Sequence, residues 1–229
     1  MKLLFKEKLE KPGNVTRFVF APEAPITWKP GQFIHYTIPH ENADDRGDER
    51  WFTISSAPFE KDVWITTRIA SDQGSSFKHK LLSLKPGDTV ETDEPSGNFV
   101  IENLNRQYIF VAGGIGITPF RSILNQLHHD GKEIQAELLY ANRDEATIPF
   151  KDELEAISRE HEGFNITYFI GDNKIDETAL QSAADKLDNP IYYVSGPEPM
   201  VEAFKATLEN MGVDDQHAKF DYFPGYEVG

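Results

Sequence analysis

The chain has 229 residues, 39% hydrophobic and 12% aromatic, which suits two domains of roughly 100 residues, each with its own core. No apolar run approaches the roughly 20 residues that span a bilayer, and the absence of cysteine excludes disulfides, thiolate-bound zinc and cysteine-ligated iron–sulfur clusters. A net charge of −15 repels a phosphate backbone, so nucleic acid is not an expected partner.

Met1 to Glu10 alternates apolar and charged residues, predicting a first β-strand and lacking the apolar core and cleavage site of a secretory signal. To about Ile101, short β-branched and aromatic runs are separated by turns such as Lys11-Pro12-Gly13-Asn14, Lys29-Pro30-Gly31, Lys85-Pro86-Gly87-Asp88 and Pro95-Ser96-Gly97-Asn98. That spacing predicts a small antiparallel β-barrel. One helix is expected at Ser76 to Leu84, where Phe77, Leu81 and Leu84 recur at helical spacing. The charge run Glu41 to Arg50, its last residue excepted, predicts a solvated hairpin loop. Trp51 is expected to face away from Phe52 and to lie in the core.

The polar stretch Glu102 to Arg106 predicts a linker between residues 1–102 and 106–229. Beyond it, strands are expected at Tyr108 to Ala112, Ala136 to Tyr140, Asn165 to Ile170 and Ile191 to Val194. Helices are expected at Pro119 to His128, Phe150 to Glu160, Glu177 to Asp185 and Pro199 to Met211. Strands alternating with helices predict a doubly wound parallel α/β domain with its ligand crevice at the carboxyl ends of the strands.

Val111 to Pro119, VAGGIGITP, sets Gly113, Gly114 and Gly116 at a strand-to-helix turn. Such a turn suits either close approach of an anion to a helix start or tight packing. Arg50 closes an acidic loop and suits either a surface pair with Asp48 or Glu49 or a phosphate fork. Ser75 and Ser76 form a helix start that suits either a plain cap or a phosphate contact.

The glycine turn resembles the nicotinamide-nucleotide loop of the ferredoxin-NADP reductase family. Arg50-Trp51-Phe52-Thr53 is similar to that family's flavin signature, Gly74-Ser75-Ser76 to its flavin-pyrophosphate segment, and Ser195-Gly196-Pro197-Glu198-Pro199-Met200 to its cysteine-glycine-proline segment. The four motifs occur in family order over essentially the whole chain. The resemblance implies an N-terminal antiparallel, six-stranded-type flavin-binding β-barrel followed by the α/β nucleotide-binding domain. It implies FAD and NADH or NADPH as cofactors, no metal, and a cytoplasmic enzyme. Electrons would pass to an external acceptor such as ferredoxin, flavodoxin or another redox protein. Alternatives are a free-flavin or ferric reductase and a non-catalytic nucleotide-binding electron-transfer subunit.

By the same resemblance Arg50 would hold flavin phosphates with Gly74, Ser75, Ser76 and Arg68. Phe52 would stack on the flavin, without the hydroxyl of the family's tyrosine, and Thr53 would lie near flavin N5. Gly113, Gly114, Gly116, Thr118, Pro119, Gly196 and Pro197 would line the dinucleotide, with Thr118 between the two cofactors. Ser195 would border the nicotinamide in place of cysteine. Arg143 would meet the adenosine end, where Asp144 and Glu145 leave the choice of NADH or NADPH open. Phe223, then Tyr226, would cover the other flavin face. Thr53, Thr118 and Ser195 are the residues expected at the reacting atoms. Lys78, His79, Lys80 and Lys85 are candidates for a basic patch that receives an acidic acceptor.

Overall fold

The computed structural model describes residues 1–69 and 75–223, the side chain of Phe223 excepted. Strands β1 (Lys2–Lys11), β2 (Val15–Pro22), β3 (Phe33–Thr37), β4 (Glu49–Thr53), β5 (Val63–Arg68) and β6 (Thr89–Thr92) form one antiparallel sheet in the order β4-β3-β6-β1-β2-β5. The Ser55 amide, just past β4, donates to the Trp64 carbonyl of β5 at 2.9 Å. The two edge strands therefore meet and the sheet curls around one core. Phe5, Phe18, Phe20, Ile34, Tyr36 and Phe52 fill it, and helix α1 (Ser76–Ser83) adds Phe77 and Leu81.

Because successive side chains of a strand point to opposite faces, Phe52 enters this core and Trp51 does not. Trp51 is 58% exposed and stacks on His35 with ring centroids 4.2 Å apart. Its expected burial is thus corrected: a barrel with one core has no second apolar layer to receive the outward face of β4.

The second sheet is wholly parallel. Its elements are β7 (Tyr108–Gly113), α2 (Thr118–His129), β8 (Ala136–Asn142), α3 (Lys151–Glu160), β9 (Phe164–Ile170), α4 (Glu177–Ala184), β10 (Ile191–Pro197), α5 (Glu198–Asn210) and β11 (Ala218–Phe223). The strand order is β11-β10-β7-β8-β9. On β7, Tyr108, Phe110 and Ala112 join the α2–α3 core, while Ile109 and Val111 join the α4–α5 core. A central strand buried on both faces reads as the continuous apolar run of a parallel sheet. The chain runs outward through β8 and β9, then returns beside β7 as β10, so the order reverses between β7 and β10. Ligands of such sheets bind at that reversal, beyond the carboxyl ends of the strands.

Strand β10 extends past the expected end at Val194, because Gly196 and Pro197 remain paired with Tyr222 and Phe223 of β11. Among the described residues no helix is long and apolar enough to cross a membrane, and no group of three or more His, Asp or Glu could hold a metal ion.

Candidate functional site

At the reversal between β7 and β10 the glycine turn crosses the end of β10. A Cβ on Gly116 would overlap the Ser195 carbonyl, and one on Gly113 would overlap the Met200 sulfur. Gly116 is therefore a glycine first because backbone lies against it, whereas Gly113 is crowded by the movable end of the Met200 side chain. Gly114 differs: its φ is +52° and nothing lies within 4 Å of a Cβ built there. Its carbonyl is held at 3.0 Å by the buried Tyr140 hydroxyl, which also reaches the Pro149 carbonyl at 3.2 Å. The turn is thus fixed from below and open above only at Gly114. Thr118 and Pro119 are buried at the start of α2, and the Thr118 hydroxyl donates to the Ile115 carbonyl at 3.1 Å.

Ser195 is fully buried and pairs in register with Ala112 of β7 and Asp221 of β11. Its hydroxyl donates to the Asp221 carboxylate at 3.4 Å, and Thr53 of the barrel lies close enough to the same carboxylate to favour its charged form. Three strands from two sheets therefore converge on one carboxyl group. Burial pushes the Asp221 carboxyl up to about 7, with Ser195 and Thr53 pulling the other way. Asp221 was missed by the sequence reading, which weighed only the aromatic residues of Phe220-Asp221-Tyr222-Phe223. The signal available was a lone acid flanked by Phe220, Tyr222 and Phe223.

On the barrel side, Arg50 passes over Phe77, 5.5 Å from its ring centre, beside the start of α1. The expected pairs with Asp48 or Glu49 are not what forms. Arg50 Nη2 pairs with Asp44 at 3.2 Å, and Nη1 donates to the carbonyls of Arg46 and Glu49. Asp44 in turn accepts from the Ser76 amide at 2.9 Å, while the Ser76 hydroxyl meets the Asp44 amide and the His40 ring, each at 2.9 Å. Hydrogen bonds from Arg46 foremost, then from the Ser76 amide, hold the Asp44 carboxyl well below the usual carboxylate range.

The charge run is mostly exposed, as expected of a solvated loop, with Asp44 tying it to the start of α1. A helix start exposes amides that must find acceptors, and Asp44 supplies one. Ser75, the N-cap, is buried and accepts from the Lys78 amide at 3.3 Å. Phe52 packs edge-on against Tyr36 and obliquely against Phe77.

Arg68 does not join Arg50; its guanidinium donates to the Gly13 carbonyl at 2.6 Å. Arg143 is exposed at the end of β8, Asp144 caps the following turn through the Ala146 amide, and Glu145 pairs with Lys151 at 2.9 Å. Gly196 and Pro197 end β10 beside Ser195. Gly74, Tyr226 and the side chain of Phe223 lie outside the described residues. Thr53, Ser195, Gly114, Gly116 and Thr118 thus share one end of the parallel sheet, Arg50, Ser75 and Ser76 share the start of α1, and Arg68 and Arg143 stand apart from both groups.

Residues 110–206 match the family model of the oxidoreductase NAD-binding domain. Among curated proteins, the ferredoxin reductase component of a 3-ketosteroid-9-alpha-monooxygenase from Mycobacterium tuberculosis is 26% identical over 99% of this chain. The chain spans 66% of that relative's length. Among solved structures, the cytochrome b5 reductase domain of Ulva prolifera nitrate reductase is 25% identical with a TM-score of 0.79, covering 96% of each chain. A ferredoxin-NADP+ reductase from Plasmodium falciparum, 17% identical, superposes with a TM-score of 0.79 over 97% of this chain and 96% of its own.

Two outcomes follow from this packing. Gly116→Ala forces a methyl into the Ser195 carbonyl, and overpacking of that kind costs about 1–3 kcal/mol, so thermal denaturation should show a Tm lower by roughly 3–10 °C. Asp221 holds a proton in the folded state up to about pH 7, whereas its unfolded carboxyl loses one near pH 4. The parent is therefore penalised increasingly as pH rises through that window. Asp221→Asn removes the penalty, and its Tm advantage over the parent should be larger at pH 8 than at pH 5 by at least about 2 °C.

Proposed function

We propose that this chain is an NAD(P)H-dependent flavoprotein reductase of the ferredoxin-NADP reductase family, taking a hydride onto bound FAD and passing electrons to an external acceptor; the match to the oxidoreductase NAD-binding domain and the likeness to ferredoxin and cytochrome b5 reductases support this. The observation that carries this reading is the convergence of Thr53, Ser195 and Asp221 at the switch point of the parallel sheet, beside the glycine turn. In it, residues 1–102 form the flavin half and residues 106–229 the nucleotide half. Flavin supplies the capacity to accept a hydride and release electrons singly, so the protein needs to bind, orient and exclude water.

The residues present fit such a group. Arg50 and the first amide of α1 already hold an anionic oxygen pair, that of Asp44, which is the chemistry a flavin phosphate requires. Ser75 and Ser76, with Gly74, would complete that cradle, with Arg68 further off. Phe52 lies in the barrel core against Tyr36 and Phe77, so stacking on the flavin would require its ring to be uncovered. Gly114 leaves the nucleotide room, α2 offers its positive end behind Thr118 and Pro119, and Gly196 and Pro197 border the same crevice. Thr53 and Ser195 would orient the reacting rings from opposite sheets, and Asp221, uncharged below about pH 7, would keep a proton beside them. Phe223, at the end of β11, would cover the remaining flavin face. Arg143 would meet the adenosine end.

The acceptor on this reading is another redox protein, ferredoxin or flavodoxin among them. The net charge of −15 disfavours an acidic one unless the Lys78, His79, Lys80 and Lys85 region receives it. NAD(P)H is supplied in the cytoplasm, which is where the chain would work. A reductase of free flavin is distinguished by purified protein that carries no yellow cofactor, and a non-catalytic subunit by flavin that does not bleach.

Anaerobic addition of NADH and of NADPH, followed by flavin absorbance, tests the reading directly: bleaching is expected with at least one, and none with either overturns it. Arg143→Ala should raise KM for NADPH more than for NADH if Arg143 reads the 2'-phosphate. Arg50→Ala should be purified with most of its flavin lost, since charge-assisted hydrogen bonds to phosphate are worth about 1.5–3 kcal/mol each; full occupancy in that variant would remove Arg50 from the phosphate site.

A further inference from the structure

Arg121 lies on the first turns of α2, yet its side chain belongs equally to the barrel. It is 3% exposed. Nη1 donates to the Ser55 carbonyl at 3.0 Å and pairs with Glu60, and Nη2 reaches Glu60 Oε1 at 2.9 Å and Glu153 Oε1 of α3 at 2.5 Å. The guanidinium lies 4.6 Å from the ring centre of Trp64, on which Arg17 of β2 also packs at 4.1 Å. Arg17 and Glu60 from the barrel side and Arg121 and Glu153 from the α/β side thus form one charge-balanced cluster around the buried Arg121 guanidinium. Desolvating an ion costs several kcal/mol unless partners stay in place, so neither half can shift without exposing or orphaning a charge.

The same helix is seated along the segment that follows β4. The Ser122 hydroxyl donates to the Ser56 carbonyl at 2.6 Å, the Phe59 amide donates to Gln126 at 3.1 Å, and His129 stacks on Phe59 at 4.0 Å. Ser55 is two residues past Thr53, and Arg121 is three past Thr118. The contact therefore ties the end of the strand that carries Thr53 to the start of the helix that carries Thr118.

We infer that Arg121 is a positioning residue for hydride transfer: by bonding Ser55, Glu60 and Glu153 together it sets the spacing between the flavin half and the nicotinamide half of the site. It touches neither cofactor on the reading above, on which this inference rests. Misplacement of reacting groups by about 1 Å costs up to roughly a hundredfold in rate, so loosening this contact should act on rate and not on binding.

The test compares Arg121→Gln, Arg121→Lys and Glu60→Gln in the full chain with flavin bound. Expected are flavin content and NAD(P)H dissociation constant within about twofold of the parent. The anaerobic flavin-reduction rate at saturating coenzyme should fall roughly ten- to a hundredfold in Arg121→Gln. Arg121→Lys should recover part of the loss, and adding Glu60→Gln to Arg121→Gln should cost little more.

Hydrogen exchange in the flavin-free chain gives a readout independent of turnover. The Ala57 and Phe59 amides, bonded to Glu60 and Gln126 at 2.6 and 3.1 Å, should exchange faster in Arg121→Gln. A parental reduction rate in Arg121→Gln overturns the inference, as does unchanged exchange at both amides. If Arg121→Gln does not fold, Arg121→Lys and Glu60→Gln decide by the same readouts. A parent that carries no reducible flavin sinks the functional reading instead, and the exchange arm still tests whether Arg121 fastens the two halves.

Discussion

The crossing of the glycine turn over the end of β10 is the constraint on which the rest of the site depends. Position 116 admits no Cβ because the Ser195 carbonyl occupies that space, whereas position 113 is crowded by the movable end of the Met200 side chain. This contact fixes how closely the start of α2 approaches the ends of β7 and β10. The parallel register then sets Ala112, Ser195 and Asp221 side by side across three strands. Asp221 in turn reaches Thr53 of the barrel. A close backbone approach inside one sheet is thereby transmitted into the geometry between two.

Charge is handled differently at the surface and inside. The chain carries a large acidic excess, yet Arg50 and Arg121 are committed to internal partners, Asp44 in one case and Glu60 with Glu153 in the other. Isolated exposed ion pairs contribute little to stability. These guanidinium groups are largely shielded, multiply bonded and placed where separate elements meet, so they act as fasteners whose removal leaves a partner charge uncompensated. Asp44 shows the same economy at the start of α1, where one carboxylate satisfies a helix amide and pairs with Arg50.

The raised titration of Asp221 also follows from position. The residue is a strand partner of fully buried Ser195, and the contacts of Ser195 and Thr53 do not offset the loss of water. A carboxyl whose titration is raised in this way destabilises the folded chain at neutral pH.

Much of this molecule was legible in the chain itself. Alternation in Met1 to Glu10, the turn sequences, the continuous apolar runs from Tyr108 and Ala136, and the helical spacing of Phe77, Leu81 and Leu84 are local signals. The glycine turn was also local, because positive φ and missing Cβ atoms are properties of single residues. What only the tertiary structure decided was which charges are buried and with whom. Arg121 meets Glu60 across 61 residues, Thr53 meets Asp221 across 168, and Trp51 is left outside although its neighbour Phe52 is in the core. No local period encodes such pairings, since they depend on how two separately folded sheets pack, and burial, which sets both the Asp221 titration and the strength of the Arg121 contacts, exists only once they have done so.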